Sequence, residues 1–161
     1  MTENDLKKFV ELWGRMGSVR GINNSTAKIH ALLTASGNSL SPDDIAGRVA
    51  ISRGNESVCV KDLKNWGIVE LIKEPGDRRD FYVTEPDVWK MFFAIANERK
   101  RREFDPLVEV VRQTLPSVRE NSASAVSERL TEMEELLTTL DIIGERLLAN
   151  PKSAHSVLSL L

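Results

Sequence analysis

Residues 41–67 read SPDDIAGRVAISRGNESVCVKDLKNWG, and the interpretation of that stretch decides the fold. Ser41 is placed to cap a helix, Pro42 takes the first helical position, and Asp43 and Asp44 face the positive end of the helix dipole. That helix is short and ends near Val49. Ala50 and Ile51 separate it from Ser52, which caps a second helix running to about Trp66, with Gly67 as its C-terminal stop. Two helices joined by so brief a turn make a helix-turn-helix.

Downstream the period changes. Ile68, Val69, Leu71 and Ile72 form a β-prone run, Pro75-Gly76-Asp77 a turn, and Phe81, Tyr82, Val83 and Thr84 a returning strand, which is a hairpin with basic residues at its tip. Thr84-Glu85-Pro86-Asp87 then opens a helix by the same capping logic as Ser41. Its apolar content is dense: Val88, Trp89, Met91, Phe92, Phe93 and Ile95. Asp105-Pro106 is expected to restart or kink it, and Pro116 to end the segment. From about Ser122 to Asn150 a heptad seam recurs through Val126, Leu130, Met133, Leu137, Leu140 and Leu147, with Gly144 at the vacant position. Asn150-Pro151 breaks the seam, and Ser153–Leu161 would form one more short helix.

Upstream, Leu6, Phe9, Val10, Trp13 and Met16 share one stripe of an amphipathic helix whose end Gly14 and Gly17 are expected to loosen. A second helix turns Ile22, Ile29, Leu32 and Leu33 inward, with Asn24 or Ser25 near its start, and Ser36-Gly37-Asn38 reads as a turn. The expected fold is mainly α with a small β-hairpin wing: a winged helix-turn-helix carrying N- and C-terminal dimerisation helices. Residues 1–20 would be the N-terminal helix of the dimerisation region, 21–85 the DNA-binding domain and 86–161 a helical dimerisation region.

The whole chain has 161 residues, 41% hydrophobic and 29% charged, with a net charge of −2. It is long enough to bury a core. The near-neutral balance does not advertise nucleic-acid binding, so such a function must rest on where individual basic residues project. No apolar run is long enough for a membrane span and the first residues lack a signal peptide's apolar stretch, so a cytoplasmic chain is expected. Cys59 has no disulfide partner within the chain, and with His30 and His155 it gives no metal-ligand cluster. No cofactor is expected. An enzyme is not expected either, because no nucleophile with its base, phosphate loop or dinucleotide fingerprint is present.

The chemistry concentrates on the second helix of the pair. If Val60 and Leu63 face the core, helical spacing turns Arg53, Asn55, Ser57 and Lys61 outward, and these side-chain types read base edges and phosphates. Gly54 leaves room for close approach. At the hairpin tip, Arg78 and Arg79 suit a minor groove, where an acidic neighbour, Asp77 or Asp80, can hold the guanidinium fork in position. A solvated helix face and a merely soluble turn are the bland alternatives. They lose ground because the two features occur together.

The motifs WGRMG, SRGN, LKNWGIV, PGDRRDFY and DVWKM, in this order, resemble the GbsR branch of MarR-type transcriptional regulators, over about residues 8–115. The resemblance implies a homodimer paired by its terminal helices, with recognition helices in successive major grooves of double-stranded DNA and wings in adjacent minor grooves. Carried over by position, Ser52, Arg53, Asn55, Ser57 and Lys61 face the groove, and Asp77, Arg78 and Arg79 form the wing motif. Glu56 departs from the family, in which that position is usually apolar. Its carboxylate must rotate outward or find a partner.

The family includes regulators that answer choline or related osmolytes. A cation–π cage for such a small-molecule effector would draw on Trp13, Trp66, Trp89 and Phe93, although large aromatics at helical spacing are ordinarily core. Cys59 could act as a redox sensor, but a lone helical cysteine is more often inert packing. The competing function is a winged-helix protein-interaction module that no longer binds DNA.

Overall fold

A computed structural model of the chain describes residues 2–121 and 124–149. The expected break at Asn150-Pro151, the tail helix at Ser153–Leu161, the start of the seam at Ser122, and His155 lie outside the described residues. Two compact units divide the chain, one through Met91 and the other from Phe92.

The first unit contains α1 (Glu3–Val19), α2 (Asn24–Ser36), α3 (Pro42–Val49), α4 (Arg53–Asn65), β1 (Val69–Ile72) and β2 (Phe81–Thr84). The capping logic holds locally. Ser41 Oγ accepts from the Asp44 N–H, and the Asp44 carboxylate accepts in return from the Ser41 N–H, both at 3.2 Å. Ser52 Oγ accepts from the Asn55 N–H at 3.2 Å. Between the two helices, Ala50 takes a left-handed conformation (φ 59°, ψ 51°), which reverses the chain in so few residues. Asn23, one position before the expected start, caps α2 through the N–H groups of Ser25 and Thr26.

The core of this unit lies where α2, α3 and α4 meet the wing: Ile29, Leu33, Ile45, Val60, Leu63 and Ile68 are almost fully buried. Gly67 closes α4 at φ 72°, a conformation open to glycine without steric penalty. The wing is an antiparallel pair in which Val69 faces Thr84 and Ile72 faces Phe81. Leu40 adds a bridge to the outer edge of Tyr82 through two backbone hydrogen bonds of 2.9 and 3.0 Å. This tie anchors the segment before α3 to the wing.

Two expectations about this unit change. Gly14 and Gly17 do not loosen α1, which continues to Val19; both are buried where α1 packs on α2. Their lack of a side chain permits that approach, and Met16, placed in the stripe by spacing, is 44% exposed instead. Thr84 does not cap the next helix. It ends β2 and donates its hydroxyl to the Ile68 carbonyl, while the Asp87 carboxylate accepts from the N–H groups of Trp89 and Lys90. The helix that follows is α5 (Val88–Arg99).

The second unit continues from α5 through a π-helical turn at Lys100–Phe104 into α6 (Asp105–Asn121), and contains α7 (Ser124–Ala149). Pro116 lies inside α6 and does not end it. The proline removes one backbone donor, but packing of α6 on α7, with Val108, Leu115 and Leu137 buried, holds the helix together. Lys100 bridges Asp105 and Asp141, with Nζ 2.7 Å from a carboxylate oxygen of each. Its aliphatic stem fills the vacant seam position: a β-carbon on Gly144 would meet Lys100 Cε at 3.6 Å.

The seam residues divide between the interior of this unit and its surface. Leu137 is buried, whereas Val126, Met133 and Leu140 are exposed, together with Leu136, Ile142 and Ile143. The heptad pattern therefore marks an apolar face that the protomer leaves largely open to solvent.

Candidate nucleic-acid interface

Helix α4 has one face in the core and one outside. Cys59, Val60 and Leu63 are buried, as is Glu56, and Arg53, Gly54, Asn55, Ser57, Val58 and Lys61 are exposed. Ser52, also exposed, caps the helix. All five residues singled out on this helix thus reach the surface. The sequence reading missed Val58, whose side chain is 62% exposed at the middle of that face. Its spacing from Gly54 and Lys61 is the signal that could have found it, and an exposed valine offers methyl groups to a thymine methyl.

The outward residues are not equally free. Arg53 Nε lies 2.9 Å from Asp43 Oδ1 on α3, and Arg53 Nη1 donates to Glu56 Oε2. Glu56 has therefore found a partner rather than rotating outward. Burial pushes its carboxyl above the usual range, opposed by the Arg53 charge. Asn55 donates from Nδ2 to Ser25 Oγ at 3.3 Å and accepts from the Cys59 thiol at 3.4 Å, which ties its amide to the start of α2. Burial raises the Cys59 thiol as well, so the thiolate needed for redox chemistry is disfavoured.

At the wing, Asp77 grips Arg79. Its Oδ1 accepts from the Arg79 N–H at 2.9 Å and its Oδ2 from Nη2 at 2.6 Å. These bonds lower the Asp77 carboxyl to about 2. The Arg79 guanidinium also lies 5.2 Å above the Phe81 ring. Lys73 pairs with Asp80 across the hairpin, and Arg78 is exposed at the tip. The Asp43 and Asp44 carboxylates on α3 further stabilise the Arg79 charge, so the first turn of α3 is electrostatically linked to the wing as well as to α4.

The aromatic residues have different settings. Trp13 meets Phe9 and the His30 ring, at centroid separations of 5.4 and 6.1 Å. Trp66 is half-buried at the end of α4, Trp89 is 41% exposed, and Phe93 is buried with its ring edge-on to Phe92. His30, buried beside Trp13, has Nε2 2.8 Å from Met91 Sδ. Burial lowers its pKa to about 4, so it is neutral at pH 7.

A helix pair with a short left-handed turn, followed by a two-stranded wing, makes this a winged helix-turn-helix protein. One solved structure, described as a transcriptional regulator, matches with a TM-score of 0.67 and 26% sequence identity, covering 90% of this chain and 96% of that one. Another, NadR in complex with 4-hydroxyphenylacetate, matches at a TM-score of 0.43 and 22% identity over 75% of this chain and 84% of its own, a likeness too distant to bear on function. No family model and no curated protein matches the chain. Among the described residues no helix is long and apolar enough to cross a membrane.

Proposed function

We propose that this chain is a sequence-specific, DNA-binding transcriptional regulator of the MarR type, close to its GbsR branch, acting in the cytoplasm as a homodimer and most simply as a repressor. The observation that carries this reading is the outer face of α4, with Arg53, Gly54, Ser57, Val58 and Lys61 exposed and an arginine-bearing wing in the same compact unit. The likeness of most of the chain to a solved transcriptional regulator supports it.

In this reading α4 enters a major groove. Arg53, Asn55, Ser57 and Lys61 address base edges and phosphates, Ser52 marks the helix start, and Val58 supplies an apolar contact. Arg78 and Arg79 reach the adjacent minor groove, with Asp77 fixing the plane of the Arg79 guanidinium. One such helix covers few base pairs, so two copies are needed for useful specificity, on half-sites about one DNA turn apart.

The apolar face of α7, through Val126, Met133, Leu136, Leu140 and Ile143, supports pairing by the C-terminal helices. For the effector, Trp13, Trp66 and Trp89 remain the proposed contacts for choline or a related cation. A folded Trp89→Ala protein with an unchanged ligand response would remove that part of the reading.

Footprinting on the DNA flanking the chain's own gene tests the main proposal. Protection of a near-palindromic site that survives excess random DNA at about 150 mM salt is the expected result. Binding no tighter than to random DNA, with function retained after Arg53→Ala and Arg78→Ala, would transfer the assignment to a winged-helix protein-interaction module.

A further inference from the structure

Arg53 is the outward cation of α4 that carboxylates hold from two sides. Asp43, on the first turn of α3, meets its Nε at 2.9 Å with a side chain that is 79% exposed. Glu56, one helical turn along α4, accepts from its Nη1 with a side chain that is 2% exposed. The second oxygen of Glu56, Oε1, is buried and has no hydrogen-bond partner among the described residues. Burying a carboxylate under these conditions is costly, and truncating Arg53 would leave that charge without its ion-pair partner.

The arrangement is a poor one for gripping phosphate. An exposed carboxylate beside the guanidinium repels the DNA backbone. It is a good one for presenting a planar fork in a single orientation, since a free arginine arm would otherwise sample many rotamers. A fork held in one plane selects acceptors that lie in that plane, such as guanine O6 and N7, over phosphate oxygens, which accept from many directions.

We propose that Asp43 and Glu56 are positioning residues that set Arg53 to read one base pair in each half-site rather than to bind phosphate. This rests on the DNA-binding reading above. Asp43 would then contribute to specificity although it contacts no base.

The test compares an operator, chosen by selection from random DNA with the wild-type protein, against its full set of single-base-pair variants. Wild type, Arg53→Ala, Arg53→Lys, Asp43→Asn and Glu56→Gln are measured at one stated salt concentration. Arg53→Ala is expected to lose discrimination at one base pair per half-site, by about tenfold. Asp43→Asn is expected to lose the same preference, while its affinity for random DNA rises because a carboxylate facing the phosphates has gone. Arg53→Lys, a point charge without the fork, does not restore it.

A structural defect alone would weaken all sequences together, so the base profile separates the two cases. Asp43 is exposed, and its variant carries the test even if Glu56→Gln fails to fold. An Asp43→Asn protein that keeps the wild-type profile at the Arg53-dependent base pair overturns the proposal, as does an Arg53→Ala protein with no change in profile; both leave DNA binding intact. A wild-type protein that selects no sequence overturns this proposal and the DNA-binding reading together.

Discussion

Gly17 of α1 rests on the methyl group of Ala27 in α2, so closely that a β-carbon added to Gly17 would stand 2.5 Å from that of Ala27. Neither atom belongs to a flexible side chain, and the helices would have to separate. Gly17→Ala is therefore expected to destabilise the protein by about 1–3 kcal/mol in urea unfolding, despite the better helix propensity of alanine. Gly144→Ala provides the control. Among the described residues its new β-carbon would meet only Lys100, at an ordinary 3.6 Å, and it should be neutral or stabilising by up to about 1 kcal/mol.

Gly54 raises the opposite question, because among the described residues nothing lies within 4 Å of a β-carbon built there. Gly54→Ala should stabilise α4 by up to about 1 kcal/mol and yet weaken operator binding, since the added methyl group would stand between the helix and the groove. Paired thermal melts and gel shifts measure both effects. A stabilised protein with undiminished affinity would show that DNA does not approach this face.

His30 gives the protein an acid sensitivity. Its folded pKa of about 4 lies below the ordinary value of 6.5, because burial disfavours the imidazolium. Between those values the unfolded chain binds a proton that the folded chain does not, so stability falls as the pH drops from 6.5 towards 4. The loss attributable to this residue approaches roughly 3 kcal/mol. Urea midpoints at pH 7 and pH 4.5 should therefore diverge more for wild type than for His30→Leu. Equal slopes in the two proteins would show that His30 does not titrate in this way.

The exposed seam predicts the oligomeric state. Leu136→Glu with Leu140→Glu places two carboxylates on a face where both leucines are already solvent-accessible in the protomer, so folding should survive. Sedimentation at micromolar concentration should show a dimer for wild type and a monomer for the variant. The variant should also lose operator affinity by at least about a hundredfold. A wild-type monomer at these concentrations would break the homodimer proposal.

The wing pair should resist acid. The Asp77 carboxyl, lowered to about 2 by the hydrogen bonds from Arg79, remains ionised well below pH 4. DNA affinity lost between pH 7 and 5 should then persist in Asp77→Asn, and chemical-shift titration of Asp77 should find no midpoint above about 3.

The elements were legible in the sequence wherever a local rule governs them. Ser41, Ser52 and Gly67 act through neighbours three or four residues away, so the helix pair and its limits follow from spacing alone. The hairpin is local in the same sense, since Pro75-Gly76-Asp77 turns the chain between two β-prone runs. Misreadings arose where a distant contact overrides the local preference. Gly14 and Gly17 read as a frayed end because glycine weakens an isolated helix, yet against α2 the missing side chain is what permits contact. Pro116 read as a stop for a similar reason.

The candidate site divides in the same way. Periodicity told which side chains of α4 face outward, because a helix with Val60 and Leu63 in the core leaves few choices for the rest. It could not tell what those side chains touch. That Arg53 is shared between Asp43 and Glu56, that Asn55 is tied to Ser25, and that the α7 seam turns Met133 and Leu140 to solvent while Leu137 turns inward depends on how separate helices approach one another. Spacing along the chain is set by bond geometry that every residue carries with it. The partners of a side chain are set by packing between elements far apart in sequence, where volume and charge are satisfied jointly and no local rule applies.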